Sequence, residues 1–269
     1  MNLTELLKKK IPVVVILLFV IAAYGCLSLY AWLGSDGMMF YPHPSEYTND
    51  GILKLKTKDG ALISAFYLSD TQARFTLLLS HGNAEDIGDL REFLQALRSR
   101  GFSVMTYDYN GYGTSQGKPT ERDCYRDIDA AYAYLTDVVK VPPDRIIAFG
   151  RSLGAAAAID LASRKPVAGL IAESAFTSAF RVMTRVRILP FDKFDNLAKI
   201  SRVYCPVLFI HGELDNTVPI WHGRKLYERA NEPKHFYEIA NAGHNDVAIK
   251  GSKQYFQQII DFSNTLMHK

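Results

Sequence analysis

The chain has 269 residues, 48% of them hydrophobic and 22% charged, with a formal net charge of +3. That is enough for one large domain or two small ones, and too slight a charge to argue for a nucleic-acid partner. The three cysteines, Cys26, Cys124 and Cys205, are scattered, with neither a disulfide framework nor zinc-type spacing.

Residues 1–10 form a basic tail that ends in Lys8, Lys9 and Lys10. Residues 11–33 then run without a charge. As a helix at ~1.5 Å per residue this run is about 35 Å long, enough to cross a ~30 Å hydrocarbon core. The flank from Gly34 to Tyr47 carries Asp36 and Glu46 and no Lys or Arg. The excess of positive charge before the apolar run predicts a single-pass anchor with a cytoplasmic N-terminus. The rest of the chain then lies on the periplasmic, lumenal or extracellular side. A cleaved signal peptide fits less well, because the apolar stretch is long and lacks a clear A-x-A site. Lipoprotein anchoring at Cys26 has its small residue in Gly25, but the sequence after Cys26 is apolar where a polar start is expected.

Residues 34–50 read as a linker rich in Gly, Pro, Ser and aromatics, short enough to hold the main domain close to the bilayer. Residues 51–269 read as that domain. Ile52–Thr57 and Ala61–Leu68, split by Lys58-Asp59-Gly60, predict a hairpin. Phe75–Ser80 predicts a strand, Asp86–Arg100 an amphipathic helix, Phe102–Tyr107 a strand and Glu121–Val138 a helix. Ile146–Phe149 is a strand that ends sharply in a helix over Ala155–Leu161. Gly169–Ala172, Val207–Ile210 and His235–Ile239 are further strands. Trp221–Ala230 and Asp246–Leu266 are helices. A hairpin followed by repeated β-α units predicts an α/β fold with a mostly parallel sheet and helices on both faces. Functional groups then collect where strand C-termini meet their loops.

One such junction carries Gly150-Arg151-Ser152-Leu153-Gly154, a G-x-S-x-G pattern between strand and helix. Alone the pattern is weak. In this setting it places Ser152 at a tight bend, with the helix N-terminus facing any anion that forms there. A serine nucleophile needs a base and the base an orienting acid, in the order Ser, acid, His on such a scaffold. Of the seven histidines, His244 sits in the turn between the last strand and the last helix, at a strand's C-terminal end. Asp215 follows the strand Val207–Ile210, with Glu173 and Glu213 as other possible acids. An oxyanion hole needs two backbone N–H donors. Leu153 supplies one and Asn83, in the loop Ser80 to Asp86, the other. His81 braces that loop. No metal site and no dinucleotide fingerprint is evident, so no cofactor is expected.

Five segments together resemble the α/β-hydrolase superfamily. They are His81-Gly82-Asn83-Ala84, Tyr107 to Ser115, Gly150 to Gly154, His211-Gly212-Glu213-Leu214-Asp215 and Ala242-Gly243-His244-Asn245. The likeness covers about residues 38–266. It is greatest to membrane-attached serine hydrolases without a lid, the branch that includes α/β-hydrolase-domain protein depalmitoylases. Met38-Met39-Phe40-Tyr41-Pro42 fits that branch. Asn110 departs from the Arg common before Gly-Tyr-Gly in many relatives, which implies a change in loop bracing. The resemblance implies Ser152 as nucleophile, His244 as base and Asp215 as acid, acting through an acyl-enzyme. Only 34 residues (173–206) lie where a cap domain would be inserted, so no large cap is expected. Within them Thr177–Leu189 predicts one helix. It either packs on the sheet or offers lipid a rim of apolar Phe180, Met183 and Val186 with basic Arg181, Arg185 and Arg187. The implied substrate is an acyl ester or thioester on a lipid, a protein or a small molecule, with the membrane as partner through the N-terminal helix. The alternatives are an aminopeptidase-like serine peptidase and a non-catalytic binding protein on the same fold.

Overall fold

The apolar runs form eight strands of one sheet: β1 (Leu53–Lys56), β2 (Leu62–Leu68), β3 (Thr76–Ser80), β4 (Ser103–Tyr107), β5 (Ile146–Arg151), β6 (Gly169–Glu173), β7 (Val207–Gly212) and β8 (Lys234–Ile239). The helices are α1 (Leu3–Met39), α2 (Arg91–Arg98), α3 (Glu121–Ala133), α4 (Leu153–Ala162), α5 (Ala179–Thr184), α6 (Asn196–Ile200), α7 (Trp221–Arg229) and α8 (Val247–Thr265). They come from a computed structural model that describes residues 3–45, 47, 48 and 50–268. Met1, Asn2, Glu46, Asn49 and Lys269, which fall within the expected tail, linker and main domain, lie outside the described residues.

The sheet order is β1-β2-β4-β3-β5-β6-β7-β8. β2 pairs antiparallel with β1 and with β4, and the other neighbours are parallel. β3 lies between β4 and β5, so the chain extends the sheet first on one side of β3 and then on the other. The loops after β3 and β5 part at this switch point, the crevice where open α/β sheets place their ligands.

Alternate residues along each strand face opposite sides. Ile146 and Ala148 of β5 join a core cluster that includes Ile128 of α3 and the apolar side chains of α4. Ile147 and Phe149 join a second cluster with Leu94 and Leu97 of α2 and Tyr255, Ile259 and Phe262 of α8. Both faces are therefore covered, as the unbroken apolar strands require. Every residue of α4 is buried, and its run Ala155 to Ala158 lets the helix lie close on the sheet.

Several boundaries differ from the sequence reading. α1 begins at Leu3 and runs on past Leu33 through Gly34 and Gly37 to Met39, so the first residues of the expected linker are helical. Each helical Gly costs about 1 kcal/mol relative to Ala. Tertiary contacts offset it: Trp32 lies edge-on to Phe191 at 5.2 Å, and Asp36 pairs with Lys193 at 2.8 Å. α2 starts at Arg91 and not at Asp86, because the Asp86 carboxylate accepts the backbone N–H of Gly88 at 2.7 Å and forms a turn that competes with helix. The helix expected over Thr177–Leu189 shrinks to Ala179–Thr184, capped by Ser178 and stopped by Arg185 in the left-handed region at φ 62°. Arg181 of that helix turns inward to pair with Asp192 at 2.6 Å, so it does not join an exposed basic rim. α6, inside the 34-residue stretch, had no sequence expectation and is capped by Asp195.

Candidate active site

Ser152 follows β5 and precedes α4 with φ 52° and ψ −111°, a region that L-residues rarely occupy. Two glycines permit the bend. A Cβ on Gly150 would sit 2.1 Å from the Gly154 carbonyl oxygen, and one on Gly154 would sit 2.0 Å from that of Ser80. The Ser152 N–H donates to the Glu173 carbonyl at 2.9 Å, which ties the bend to the next strand.

His244 lies in the turn between β8 and α8, where Gly243 N–H donates to Asp246 at 2.6 Å. Its Nε2 is 2.9 Å from Ser152 Oγ, and its Nδ1 is 2.7 Å from Asp215 Oδ2. A carboxylate only accepts, so Nδ1 carries the proton and Nε2 offers its lone pair to the serine hydroxyl. The Asp215 side chain is wholly buried in the loop after β7. Its Oδ1 accepts the N–H groups of Thr217 at 3.0 Å and Val218 at 2.7 Å. Burial opposes its ionisation, but hydrogen bonds from His211 and His244 and the Val218 N–H outweigh that and hold its carboxyl below the usual range. The structure thus brings Ser152, His244 and Asp215 into one relay able to move a proton from Oγ to Nε2. Neither other acid joins it. Glu173 is bound to Arg151 and Tyr255, and the exposed Glu213 accepts the Asn241 N–H.

The relay opens into a cleft of about 580 Å³, with Gly82, Asn83, Ala84 and Leu153 along one wall. Leu153 is the first residue of α4, so its N–H has no acceptor within the helix. The loop that carries Asn83 is braced by buried His81, whose Nδ1–H donates to the Gly82 carbonyl at 2.8 Å and whose Nε2 lies 3.5 Å from Asp108. Asp108 also accepts the Ile87 N–H and the Tyr47 hydroxyl. Asn110 braces the next loop through Asp127. Its N–H and side-chain NH₂ both donate to Asp127, at 2.8 and 2.5 Å. Burial pushes the Asp127 carboxyl up to about 8, against the lowering effect of those two bonds.

Some of the site has no marker in the sequence. Arg151, the second residue of the bend motif, pairs with Glu173 at 3.2 Å and with Glu85 at 3.5 Å, and Glu85 accepts the Gly82 N–H. Met38, Met39 and Tyr41, from the end of α1 and just beyond, line the cleft with Phe176, Val182 and Phe194. No periodicity signals these pairings, because their partners are far apart in the chain. Among the described residues, His43, Asp86 and Asp89 bring possible metal-ligand atoms within 4.8 Å of one another. His43 and Asp89 are partly exposed and bond each other at 3.2 Å, which fits an ion pair.

Comparison with known proteins agrees with this architecture. A family described as "Serine aminopeptidase, S33" matches residues 71–191. The chain is 39% identical over 209 residues to human α/β-hydrolase domain-containing protein 17B, covering 77% of this chain and 72% of that protein. It is 40% identical over 209 residues to mouse α/β-hydrolase domain-containing protein 17C, covering 76% of this chain and 64% of the relative. An esterase of Pyrococcus furiosus superposes with a TM-score of 0.72 at 20% identity, covering 84% of this chain and 98% of the esterase. At that identity the superposition speaks for the fold alone.

Proposed function

Because the chain belongs to the α/β-hydrolase superfamily, we propose that it is a membrane-tethered serine hydrolase that cleaves acyl esters or thioesters through an acyl-enzyme on Ser152. The observation that carries this reading is the unbroken relay, 2.9 Å from Ser152 Oγ to His244 Nε2 and 2.7 Å from His244 Nδ1 to Asp215. Ser152 Oγ attacks the acyl carbon as its proton passes to His244 Nε2. Asp215 holds the imidazole in the required tautomer and stabilises the imidazolium. The oxyanion is held by the N–H groups of Asn83 and Leu153. As the carbonyl re-forms, Nε2 gives its proton to the leaving alcohol or thiol. Water then attacks the acyl carbon as its proton passes to Nε2; the bond from that carbon to Oγ breaks, and Nε2 returns the proton to Ser152 Oγ as the acid leaves.

The cleft favours an acyl group over a peptide N-terminus. Met38, Met39, Phe176, Val182, Met183 and Phe194 give it apolar walls. Its two carboxylates, Glu85 and Glu173, are both committed to Arg151 and offer no free charge to an ammonium group. The tether is α1: the most apolar 18-residue window within Pro12–Met39 has a mean hydropathy of 2.6 and is not buried by the protein. Exposed apolar length on this scale suits lipid. Lys8, Lys9 and Lys10 before the span favour a cytoplasmic N-terminus, with the hydrolase domain on the other side.

A series of ester, thioester and amide substrates of increasing chain length, presented in micelles to wild type and Ser152→Ala, tests this reading. Long acyl esters or thioesters are the preferred substrates of the wild type, and Ser152→Ala is inactive. Faster cleavage of short water-soluble esters, or of aminoacyl amides, would overturn it.

A further inference from the structure

The loop that carries Asn83 is held from two directions. On one side Gly82 N–H donates to Glu85 at 2.8 Å, and Glu85 pairs with Arg151 of the serine bend. On the other side is the Asn83 carboxamide. Its Nδ2 donates to the Met39 carbonyl at 2.7 Å, and its Oδ1 accepts the Tyr41 N–H at 3.1 Å and the Tyr112 hydroxyl at 2.5 Å. The Tyr41 N–H also reaches the Tyr112 oxygen at 3.0 Å. A backbone N–H only donates and a carbonyl only accepts, so these partners fix which way the amide faces.

Met39 is the last residue of α1. The final carbonyls of a helix have no donor within it. The Asn83 side chain therefore caps the apolar helix, while the Asn83 backbone belongs to the loop that faces Ser152. Phe40, between the two bonded residues, is 5% exposed and packs on Phe194 at 6.1 Å, so the segment is seated in the domain.

We propose that the Asn83 carboxamide is a positioning group that couples the end of the apolar helix to oxyanion stabilisation. It clamps the chain leaving α1 and so holds the Asn83 N–H where negative charge develops. Turnover then depends on α1 being seated against the domain. The proposal rests on the hydrolase reading above.

The test uses the full chain in detergent micelles. Asn83→Ala removes the clamp and keeps the backbone N–H. Tyr112→Phe removes one hydroxyl from the clamp. Steady-state kinetics on a long-chain ester are read beside the affinity for an alkyl boronic acid, whose tetrahedral anionic adduct on Ser152 needs the same donors. Displacing an oxyanion donor without deleting it lowers kcat about 10- to 100-fold in Asn83→Ala, with KM held within about twofold and boronate affinity falling in parallel. Tyr112→Phe loses about two- to fivefold in kcat, and the double variant loses less than the two single losses combined, since Asn83 and Tyr112 hold the same Tyr41 N–H.

Wild-type kcat and boronate affinity in both variants would overturn the proposal. So would a loss confined to KM, or losses that add in the double variant. If Asn83→Ala does not fold, Tyr112→Phe alone decides. Ser152→Ala separates the two layers. If it retains turnover, the hydrolase reading fails; if it is inactive while both clamp variants behave as wild type, only the clamp fails.

Discussion

Ser152 is held in a backbone conformation that costs about 1–3 kcal/mol for a residue with a side chain. It persists because the bend is fixed on three sides, by the Ser80 carbonyl beside Gly154, by the Glu173 carbonyl on its own N–H, and by His244 on its hydroxyl. Asp215 sets the tautomer of that histidine. Asp215→Asn places an NH₂ group where an acceptor is needed, so kcat is expected to fall about 10³–10⁴-fold with KM nearly unchanged. Steady-state kinetics check this, and a loss below tenfold would contradict it. Ser152, Asp215 and His244 could be picked from the sequence because each follows a strand at a loop that the fold sends to one edge. Asn83 could be placed in the loop near Ser152, but its side-chain bonds could not be foreseen. They reach Met39 and Tyr41, 44 and 42 residues earlier, and Tyr112, 29 residues later. Arg151 gave no signal either, since its partners are Glu85, in the loop after β3, and Glu173, the last residue of β6.

Strands were the easier elements to read, because short apolar runs buried on both faces have few other uses. Helix ends were harder. The α2 start was displaced by one side chain, Asp86, and α5 was cut short at Arg185, whose left-handed φ no propensity encodes. The continuation of α1 to Met39 came from docking against Phe191 and Lys193. The β5–α4 element makes a sharp prediction. Gly154→Ala forces a Cβ to within 2.0 Å of a backbone oxygen that belongs to β3, so strand or helix must move. The expected cost is about 3 kcal/mol or more, read as a lowered urea midpoint. Gly34→Ala in α1 meets nothing within 4 Å and is expected to keep the wild-type midpoint or raise it. Equal midpoints for the two variants would contradict this account of the bend.

For the whole molecule, stability should depend on pH through groups that the fold buries. His222 is fully buried, and its Nδ1 faces the Thr177 N–H at 3.2 Å and the Thr177 hydroxyl at 3.0 Å. Burial first, then the charge of His211, lowers it to about 4, with Arg181 and Lys225 acting the same way and Asp215 opposing them. The unfolded chain takes up this proton near pH 6.5 and the folded chain only near 4, so stability falls as pH drops across that window. The loss from this group is at most about 3 kcal/mol. Asp127, pushed up to about 8, acts with the opposite sign and removes stability as pH rises from about 4 to 8. The two partly cancel in the wild type. His222→Gln should therefore lose the first contribution alone and become relatively more stable towards pH 4, measured by urea midpoints between pH 4 and 7. A constant offset between variant and wild type across that range would contradict the assignment.

The proposed hydrolysis stands or falls with Ser152 as an activated nucleophile. Labelling by a fluorophosphonate probe, followed by mass spectrometry of the modified peptide, tests it directly. The full chain in micelles should be labelled stoichiometrically at Ser152, and Ser152→Ala should take up no label. Absence of label on folded wild type, or label on any other residue that persists in Ser152→Ala, would contradict it.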